Sequence, residues 1–251
     1  MKRLISAALL AALFCLSGCG AAQPSGPDQS ADPDPVPTRL VVLDPGHQAR
    51  ADTTPEPIGP GASETKMRVT GGADGVATGT PEHALVLTVA QQLRTELERR
   101  GYAVLLTREE ADVDLSNRER AVFANEAGAD VFLRLHANGA TDPTAHGVMT
   151  ICPTAESPYP IGARYEECRL LAACVLDAVT EAAGAARDRL WETDSMAGLN
   201  WAEVPTTLVE LGYLTDQDED RLLSDPAYQA KLVVGQADGI DRYFAALEKS
   251  E

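Results

Sequence analysis

Two histidines and two glutamates stand where they could build a metal centre. His47 and His136 each follow a short apolar run, Glu210 ends a third such run, and Glu82 opens an amphipathic stretch. Two imidazoles and one carboxylate make a three-ligand set for Zn²⁺ that leaves a fourth position for water. A second carboxylate near that water can accept its proton and pass it to a leaving nitrogen. These residue types therefore favour hydrolysis by an activated water molecule.

Other histidines and acids compete for these roles. His83 adjoins Glu82, but neighbouring helical positions point about 100° apart, which favours a structural role for His83. His146 precedes a glycine and is the strongest rival to the two chosen histidines. Glu56 and Glu64 are spare carboxylates, but neither opens an amphipathic helix as Glu82 does. The chosen residues are far apart in the sequence and form no local metal motif.

The elements that must position these residues alternate between strands and helices. Strands are predicted at 39–43, 102–106, 131–135, 147–151 and 206–209, and helices at 81–100, 116–126, 163–183 and 226–247. Thr80 is the predicted N-cap of the first helix, and Gly101 its stop. This order predicts an α/β fold with a single, mostly parallel, twisted sheet and helices on both faces. The carboxyl ends of its strands would gather the four residues.

A Gly-, Thr- and Pro-rich stretch follows the first strand. Residues 44–79 show no clear periodicity, so they are predicted to form a long loop. Loops of this length in a compact domain usually serve function. We expect this one to line or cover the groove that holds the candidate residues.

The N-terminus is typical of an export signal. Lys2 and Arg3 precede an apolar run, Leu4 to Leu16, that is too short to span a bilayer comfortably, and Cys19 follows shortly after it. The ending Leu-Ser-Gly-Cys resembles the lipobox of bacterial lipoproteins, which implies a signal peptide at 1–18 and lipidation of Cys19. Residues 19–38 are rich in Pro, Ser, Gly and Asp and are predicted to be a disordered tether. An ordinary cleaved signal is the alternative.

Charge narrows the choice of partners. The chain has 21 basic and 38 acidic residues and a net charge of −17, which argues against nucleic acid as a partner. Removal of residues 1–18 takes away Lys2 and Arg3 and no acid, so the mature chain carries −19. A lipid anchor, not charge, would therefore hold it to a membrane.

Three cysteines lie in the body of the chain, in an oxidising compartment if the chain is exported. Cys168 and Cys174 point to different faces of one predicted helix and should not pair. Cys152 and Cys168 are conceivable partners in a disulfide, and Cys174 is predicted to be core.

Several separated motifs together resemble one family. They are Leu43-Asp44-Pro45-Gly46-His47, Pro81-Glu82, Thr107-Arg108, Leu115-Ser116-Asn117-Arg118, His136-Ala137-Asn138 and Val209-Glu210-Leu211-Gly212-Tyr213. In this order they resemble the zinc-dependent N-acetylmuramoyl-L-alanine amidases of the amidase-3 family, which cut bacterial peptidoglycan. The resemblance implies a catalytic domain at 39–248. It also implies zinc bound by His47, Glu82 and His136, with Glu210 as the catalytic carboxylate.

The sequence departs from the family at Arg134, where a serine usually stands. On a strand Arg134 shares a face with His136, so it is either a substrate contact or half of a salt bridge, with the bridge slightly favoured. Arg134 and Asn138 are the predicted substrate-binding residues.

The resemblance implies an exported enzyme that is lipid-anchored on the outer face of the cytoplasmic membrane and acts on peptidoglycan. Two other functions compete. One is a catalytically inactive, peptidoglycan-binding lipoprotein, and the other is a zinc peptidase that cuts within the stem peptide. Whether a protein activator exists is left open.

Overall fold

The computed structural model describes residues 38–142 and 144–249. The predicted signal peptide, the lipidation site Cys19 and the predicted tether up to residue 37 lie outside this part of the chain. Among the helices that the structure describes, none combines the length and the apolar character needed to cross a bilayer.

Eight strands and six α-helices form the described fold. The strands are β1 (Leu40–Pro45), β2 (Asp52–Pro57), β3 (Thr65–Val69), β4 (Ala103–Leu106), β5 (Val131–Asn138), β6 (Val148–Cys152), β7 (Arg187–Glu192) and β8 (Thr206–Tyr213). The helices are α1 (Glu82–Arg99), α2 (Asn117–Glu126), α3 (Tyr165–Ala183), α4 (Ala197–Asn200), α5 (Gln217–Leu223) and α6 (Pro226–Leu247). A 3₁₀ turn at Pro160–Arg164 precedes α3.

Six strands build the central sheet in the order β4-β1-β5-β8-β6-β7. The first four are parallel to one another, whereas β6 runs antiparallel to β8 and parallel to β7. The predicted mostly parallel sheet is therefore confirmed. The reversal makes β6 the antiparallel neighbour of β8, the strand that carries Glu210.

Helices cover both faces of this sheet, as predicted. Val41 and Leu43 of β1 pack with α1, α3 and α6 in the larger core cluster. Val42, between them, packs with α2 in a second cluster that also contains Phe132 of β5. Alternate residues of a strand point to opposite faces, so these two clusters mark the two sides of the sheet.

The start of α1 differs from the prediction. Pro81 is the N-cap, Glu82 is the first helical residue, and no side chain caps the helix. The Thr80 hydroxyl bonds with that of Thr78 at 2.9 Å instead, while the Glu82 N–H donates to the carbonyl of Ala73 at 2.9 Å. The prediction of Thr80 as N-cap is wrong. The N–H of Glu82, the first helical residue, is already bound by a backbone carbonyl of the preceding loop, so no side-chain cap is needed there. The predicted stop at Gly101 is confirmed.

The stretch 44–79 is not an irregular loop, because it contains an antiparallel hairpin of β2 and β3. Most residues of β2 are exposed or half-buried, so the hairpin lacks the apolar alternation that reveals a strand in sequence. The hairpin is fixed to the region around α4. Trp201 donates through Nε1 to the carbonyl of Pro57 at 2.9 Å, and Asn200 donates to that of Ile58 at 2.9 Å.

The three body cysteines are free thiols. Cys152 and Cys168 are both buried, and burial raises the pKa of each thiol to about 12. The backbone N–H of Thr206 donates to Cys168 Sγ at 3.3 Å. The conceivable Cys152–Cys168 disulfide is therefore not formed in this structure. Cys174 is half-buried and packs at the margin of the larger core cluster.

Candidate metal centre

The side chains of His47, Glu82 and His136 converge on one point. Nε2 of His47 lies 3.1 Å from Oε1 of Glu82, and Nδ1 of His136 lies 3.0 Å from the same oxygen. The two ring nitrogens are 3.1 Å apart. Two ligands of a tetrahedral zinc, each about 2.1 Å from the ion, lie about 3.4 Å from one another. The three donor atoms thus form a triangle close to the size that a zinc ion requires.

Backbone geometry after β1 makes this convergence possible. His47 has a left-handed backbone with φ of 57°, which costs a non-glycine residue roughly 1–3 kcal/mol. Gly46 lies against the imidazole of His136, and a Cβ at Gly46 would stand 2.7 Å from Nδ1 of that ring and nearer still to two other ring atoms. A glycine is needed here because the ring of His136, from β5, lies directly against the backbone that precedes His47.

Hydrogen bonds outside the triangle orient its side chains. Nδ1 of His47 lies 2.9 Å from the carbonyl oxygen of Thr70, so Nδ1 carries the proton and Nε2 offers a lone pair to the site. Oε1 of Glu82 accepts from the N–H of Ala137 at 3.0 Å, and Oε2 accepts from that of Ala73 at 3.0 Å. These bonds fix the carboxylate from both sides.

Electrostatics favour a cation at this point. Burial raises the pKa of Glu82, but hydrogen bonds to His136 and His47 outweigh it and hold that pKa well below its usual range. Burial also lowers the pKa of His136 to about 4, against the opposing hydrogen bond to Glu82. At neutral pH the site thus contains an ionised carboxylate and an unprotonated His136. This donor set suits a divalent zinc ion.

Two buried arginines hold the loop that carries His47. Arg108 donates to the carbonyls of Pro45 at 2.8 Å and Gly46 at 2.9 Å. Arg120 donates to the carbonyls of Pro45 at 2.9 Å and His47 at 2.8 Å. Sequence analysis missed Arg120. Arg120 is only 1 % exposed and lies on the buried face of α2. The sequence feature that could have revealed it is a charged residue on the otherwise apolar face of this helix.

Glu210 lies beside the triangle. It is the register partner of His136 on the neighbouring strand β8, and it lines the same cavity. Its Oε2 is buried and has no hydrogen-bond partner among the described residues. Burial, together with the negative charge of Glu82, raises the pKa of Glu210 well above its usual value, although Arg134 opposes the shift.

A cavity of about 620 Å³ opens over these residues. The hairpin supplies one wall through residues of β2 and β3, and residues 195–198 supply another. The two walls touch where Lys66 donates from Nζ to the carbonyl of Ser195 at 2.6 Å. The stretch after His47 therefore lines the groove as expected.

Arg134 forms the salt bridge that was favoured for it. Its Nε donates to Oδ2 of Asp44 at 2.8 Å, and its Nη2 donates to Oδ1 of Asn117 at 2.7 Å. Arg120 binds the other oxygen of Asp44 at 2.8 Å. Burial raises the pKa of Asp44, but the two guanidinium groups outweigh it and lower that pKa far below normal.

Asn138 takes a different place from Arg134. It ends β5, two residues beyond His136, and its side-chain oxygen accepts from the N–H of Gly139 at 2.8 Å. Among the described residues that line the cavity, Arg134 is present and Asn138 is not.

The rival residues lie elsewhere. His146 is exposed on the loop between β5 and β6, with Nδ1 2.8 Å from the carbonyl of Thr144. Glu56 accepts from the hydroxyl of Ser116 at 2.9 Å, at the start of α2, and Glu64 is exposed. Within residues 38–142 and 144–249, the grouped potential metal ligands are those of the His47, Glu82 and His136 triangle.

The floor of the cavity combines a potential metal site, made of two imidazoles and one carboxylate, with a second carboxylate beside it. This combination is typical of hydrolytic enzymes. Comparison with known families identifies which kind. Residues 41–242 match the amidase-3 family, described as N-acetylmuramoyl-L-alanine amidase. The chain belongs to this family.

Individual relatives agree with this assignment. The chain is 26% identical over 241 residues to the N-acetylmuramoyl-L-alanine amidase AmiA of Escherichia coli, covering 82% of this chain and 76% of AmiA. It is 24% identical over 220 residues to the probable cell wall amidase LytH of Staphylococcus aureus, covering 87% of this chain and 63% of LytH. The crystal structure of the N-acetylmuramyl-L-alanine amidase Ami1 from Mycobacterium abscessus superposes with a TM-score of 0.73 at 26% identity, covering 82% of this chain and 98% of Ami1.

Proposed function

We propose that this chain hydrolyses the amide bond between N-acetylmuramic acid and L-alanine in peptidoglycan, with Zn²⁺ held by His47, Glu82 and His136. Glu210 is the catalytic carboxylate. The observation that carries this proposal is the donor triangle, with distances of 3.0–3.1 Å, beside an unpaired carboxyl oxygen. Membership of the amidase family supports the choice of bond.

The chain's own residues divide the work. His47, Glu82 and His136 would hold the ion, which would supply acidification of a water molecule and polarisation of the amide carbonyl. Glu210 accepts a proton from the attacking water at Oε2, which has no competing hydrogen bond among the described residues. Glu210 then returns that proton to the nitrogen of the departing L-alanine. A single carboxylate thus acts as base and then as acid.

The cavity positions the substrate. Its two walls, the hairpin and residues 195–198, confine a chain that lies across the floor at His136 and Glu210. The proposed substrate contacts are Arg134, which lines this cavity, and Asn138, which lies outside its lining at the end of β5. The side-chain oxygen of Asn138 already accepts a hydrogen bond from Gly139, so its amide nitrogen is the group that would bind substrate.

The location follows from the N-terminal sequence and from the substrate. The ending at Cys19 supports export and lipid anchoring at the outer face of the cytoplasmic membrane. That position places the catalytic domain beside peptidoglycan. The net charge of −17 argues against nucleic acid as a partner.

Digestion of purified peptidoglycan tests the proposal. The zinc-loaded full chain should release glycan strands without peptides, together with peptides that begin with L-alanine, as identified by mass spectrometry. Products in which L-alanine remains on the sugar would instead indicate a peptidase. Binding of peptidoglycan without any release would indicate an inactive binding protein. The Glu210→Ala variant is the control for contaminating hydrolases.

A further inference from the structure

Arg134 has one guanidinium nitrogen left over. Its Nε is used by Asp44 and its Nη2 by Asn117, at 2.8 and 2.7 Å. Within the part of the chain that the structure describes, the hydrogen bonds of the Arg134 side chain use Nε and Nη2, and none uses Nη1. Arg134 lines the cavity next to Gly198. Nη1 is therefore the donor of Arg134 that a ligand in the cavity would use.

The carboxylate that Arg134 contacts is shared with a second guanidinium group. Asp44 is the acidic group within 4.0 Å of Arg134 among the described residues, and it also pairs with Arg120. All three side chains are at most 3 % exposed. One carboxylate therefore serves two guanidinium groups in a desolvated place, where an unpaired charge is costly. A carboxylate of the substrate would give Arg134 a partner that it does not share with Arg120, and guanidinium binds carboxylate with particular strength.

Gly198 leaves room for this arrangement. A Cβ at Gly198 would stand 2.8 Å from Nη2 of Arg134 and would overlap Nη1. The guanidinium thus lies directly against the backbone of α4, which forms part of the cavity wall. Its position is set by Asp44 and Asn117 on one side and by Gly198 on the other.

The distance to the reaction centre indicates which substrate group Arg134 meets. Arg134 and His136 share one face of β5 two residues apart, which is about 7 Å along a strand. Two residues of an extended peptide also span about 7 Å. With the scissile amide at His136 and Glu210, and with the stem peptide running toward Arg134, the guanidinium would reach the residue that follows L-alanine.

We propose that Arg134 binds a free carboxylate on the residue after L-alanine and makes the enzyme selective for acidic over amidated stem peptides. This inference rests on the proposed function, because that function places the scissile amide. The salt bridge to Asp44 and the substrate contact are then two uses of one side chain. Asp44 and Asn117 orient the guanidinium group of Arg134, and Nη1 donates a hydrogen bond to the substrate carboxylate.

Binding measured without turnover tests the inference. The probes are two synthetic N-acetylmuramoyl peptides that differ only at the residue after L-alanine, where one carries a carboxylate and the other a carboxamide. Dissociation constants are measured by calorimetry on the zinc-loaded full chain with Glu210→Gln, which keeps the shape of the site. The carboxylate probe should bind at least about tenfold more tightly, as expected for a charge-assisted hydrogen bond.

Adding Arg134→Gln should bring the two dissociation constants within about twofold of each other. Arg118→Gln is the matched control, because Arg118 is exposed on α2 and stacks on Trp201 outside the cavity. It should keep the full preference. If circular dichroism shows that Arg134→Gln is unfolded, Gly198→Ala replaces it, since the methyl group displaces the guanidinium without removing its charge. It should reduce the preference at least about fivefold.

Equal affinity for the two probes in the Glu210→Gln chain would overturn the inference. A preference that survives Arg134→Gln, or Gly198→Ala where that variant is used, would overturn it as well. Failure of the proposed function has a different signature, namely that the unmutated zinc-loaded chain releases no peptide beginning with L-alanine from either probe or from peptidoglycan.

Discussion

His136 and Glu210 are register partners on the adjacent parallel strands β5 and β8. Their side chains therefore project from the same face of the sheet, from backbones about 4.8 Å apart. The distance between the proposed zinc ligand and the proposed proton acceptor is thus fixed by backbone hydrogen bonds. A slip of one residue in either strand would turn one of the two side chains to the opposite face.

Replacing the proposed ligands should remove the metal. His47→Ala or His136→Ala should weaken zinc binding at least about 100-fold, because loss of an outer hydrogen-bond partner alone costs about 10- to 100-fold. Zinc content is measured by elemental analysis after dialysis against a competing chelator. His146→Ala is the control and should retain one zinc per chain. Retention of zinc by the His47 and His136 variants, with loss in the His146 variant, would transfer the ligand role to His146.

Replacing Glu210 should separate chemistry from metal binding. Glu210→Ala should lower kcat about 10²- to 10⁴-fold, the usual contribution of a general acid–base group. Zinc content should stay close to that of the unmutated chain, since Glu210 lies outside the donor triangle. Loss of zinc in this variant would contradict the role assigned to Glu210.

The raised pKa of Glu210 predicts a pH-dependent stability in the metal-free chain. Because the folded-state pKa lies above the unfolded value of about 4.5, ionisation favours the unfolded state as pH rises above that value. The folded chain therefore loses stability as pH rises. Glu210→Gln removes this loss of stability and should raise the melting temperature at pH 7, with little change at pH 4. Melting curves at both pH values provide the measurement. An equal gain at both would mean that ionisation of Glu210 is not the cause.

Gly46 should tolerate no larger residue. Gly46→Ala would push the methyl group into the imidazole of His136, which lies within 2.7 Å of that position, and should weaken zinc binding at least about tenfold. Gly71→Ala is a matched control, because a Cβ there meets nothing within 4 Å. Isothermal titration of both metal-free variants with zinc makes the comparison. Equal affinities would show that the contact between Gly46 and His136 does not shape the site.

Much of the site could be predicted because parallel strands bring distant residues to one edge. His47 and His136 follow apolar runs that are central strands, and those runs are buried on both faces, which makes them easy to recognise. Glu82 was found through the amphipathic helix that it opens. The residues nearest the reaction thus lie on the elements with the strongest sequence patterns.

The parts that escaped prediction depend on tertiary contacts. The β2–β3 hairpin is largely exposed and is held by Asn200 and Trp201, which are distant in sequence, so no local pattern reveals it. Arg120 is buried because it meets backbone carbonyls of another loop, and a helical pattern alone does not show that. The N-cap at Thr80 failed because the carbonyl of Ala73 already accepted the first N–H.

Anomalous diffraction from a zinc-soaked crystal, recorded at the zinc absorption edge, tests the central claim most directly. We predict one strong peak about 2.0–2.2 Å from Nε2 of His47, Oε1 of Glu82 and Nδ1 of His136, with the Glu210 carboxyl outside direct coordination. A peak held by other residues, or no peak within reach of these three atoms at saturating zinc, would contradict the proposed metal centre and the hydrolysis that depends on it.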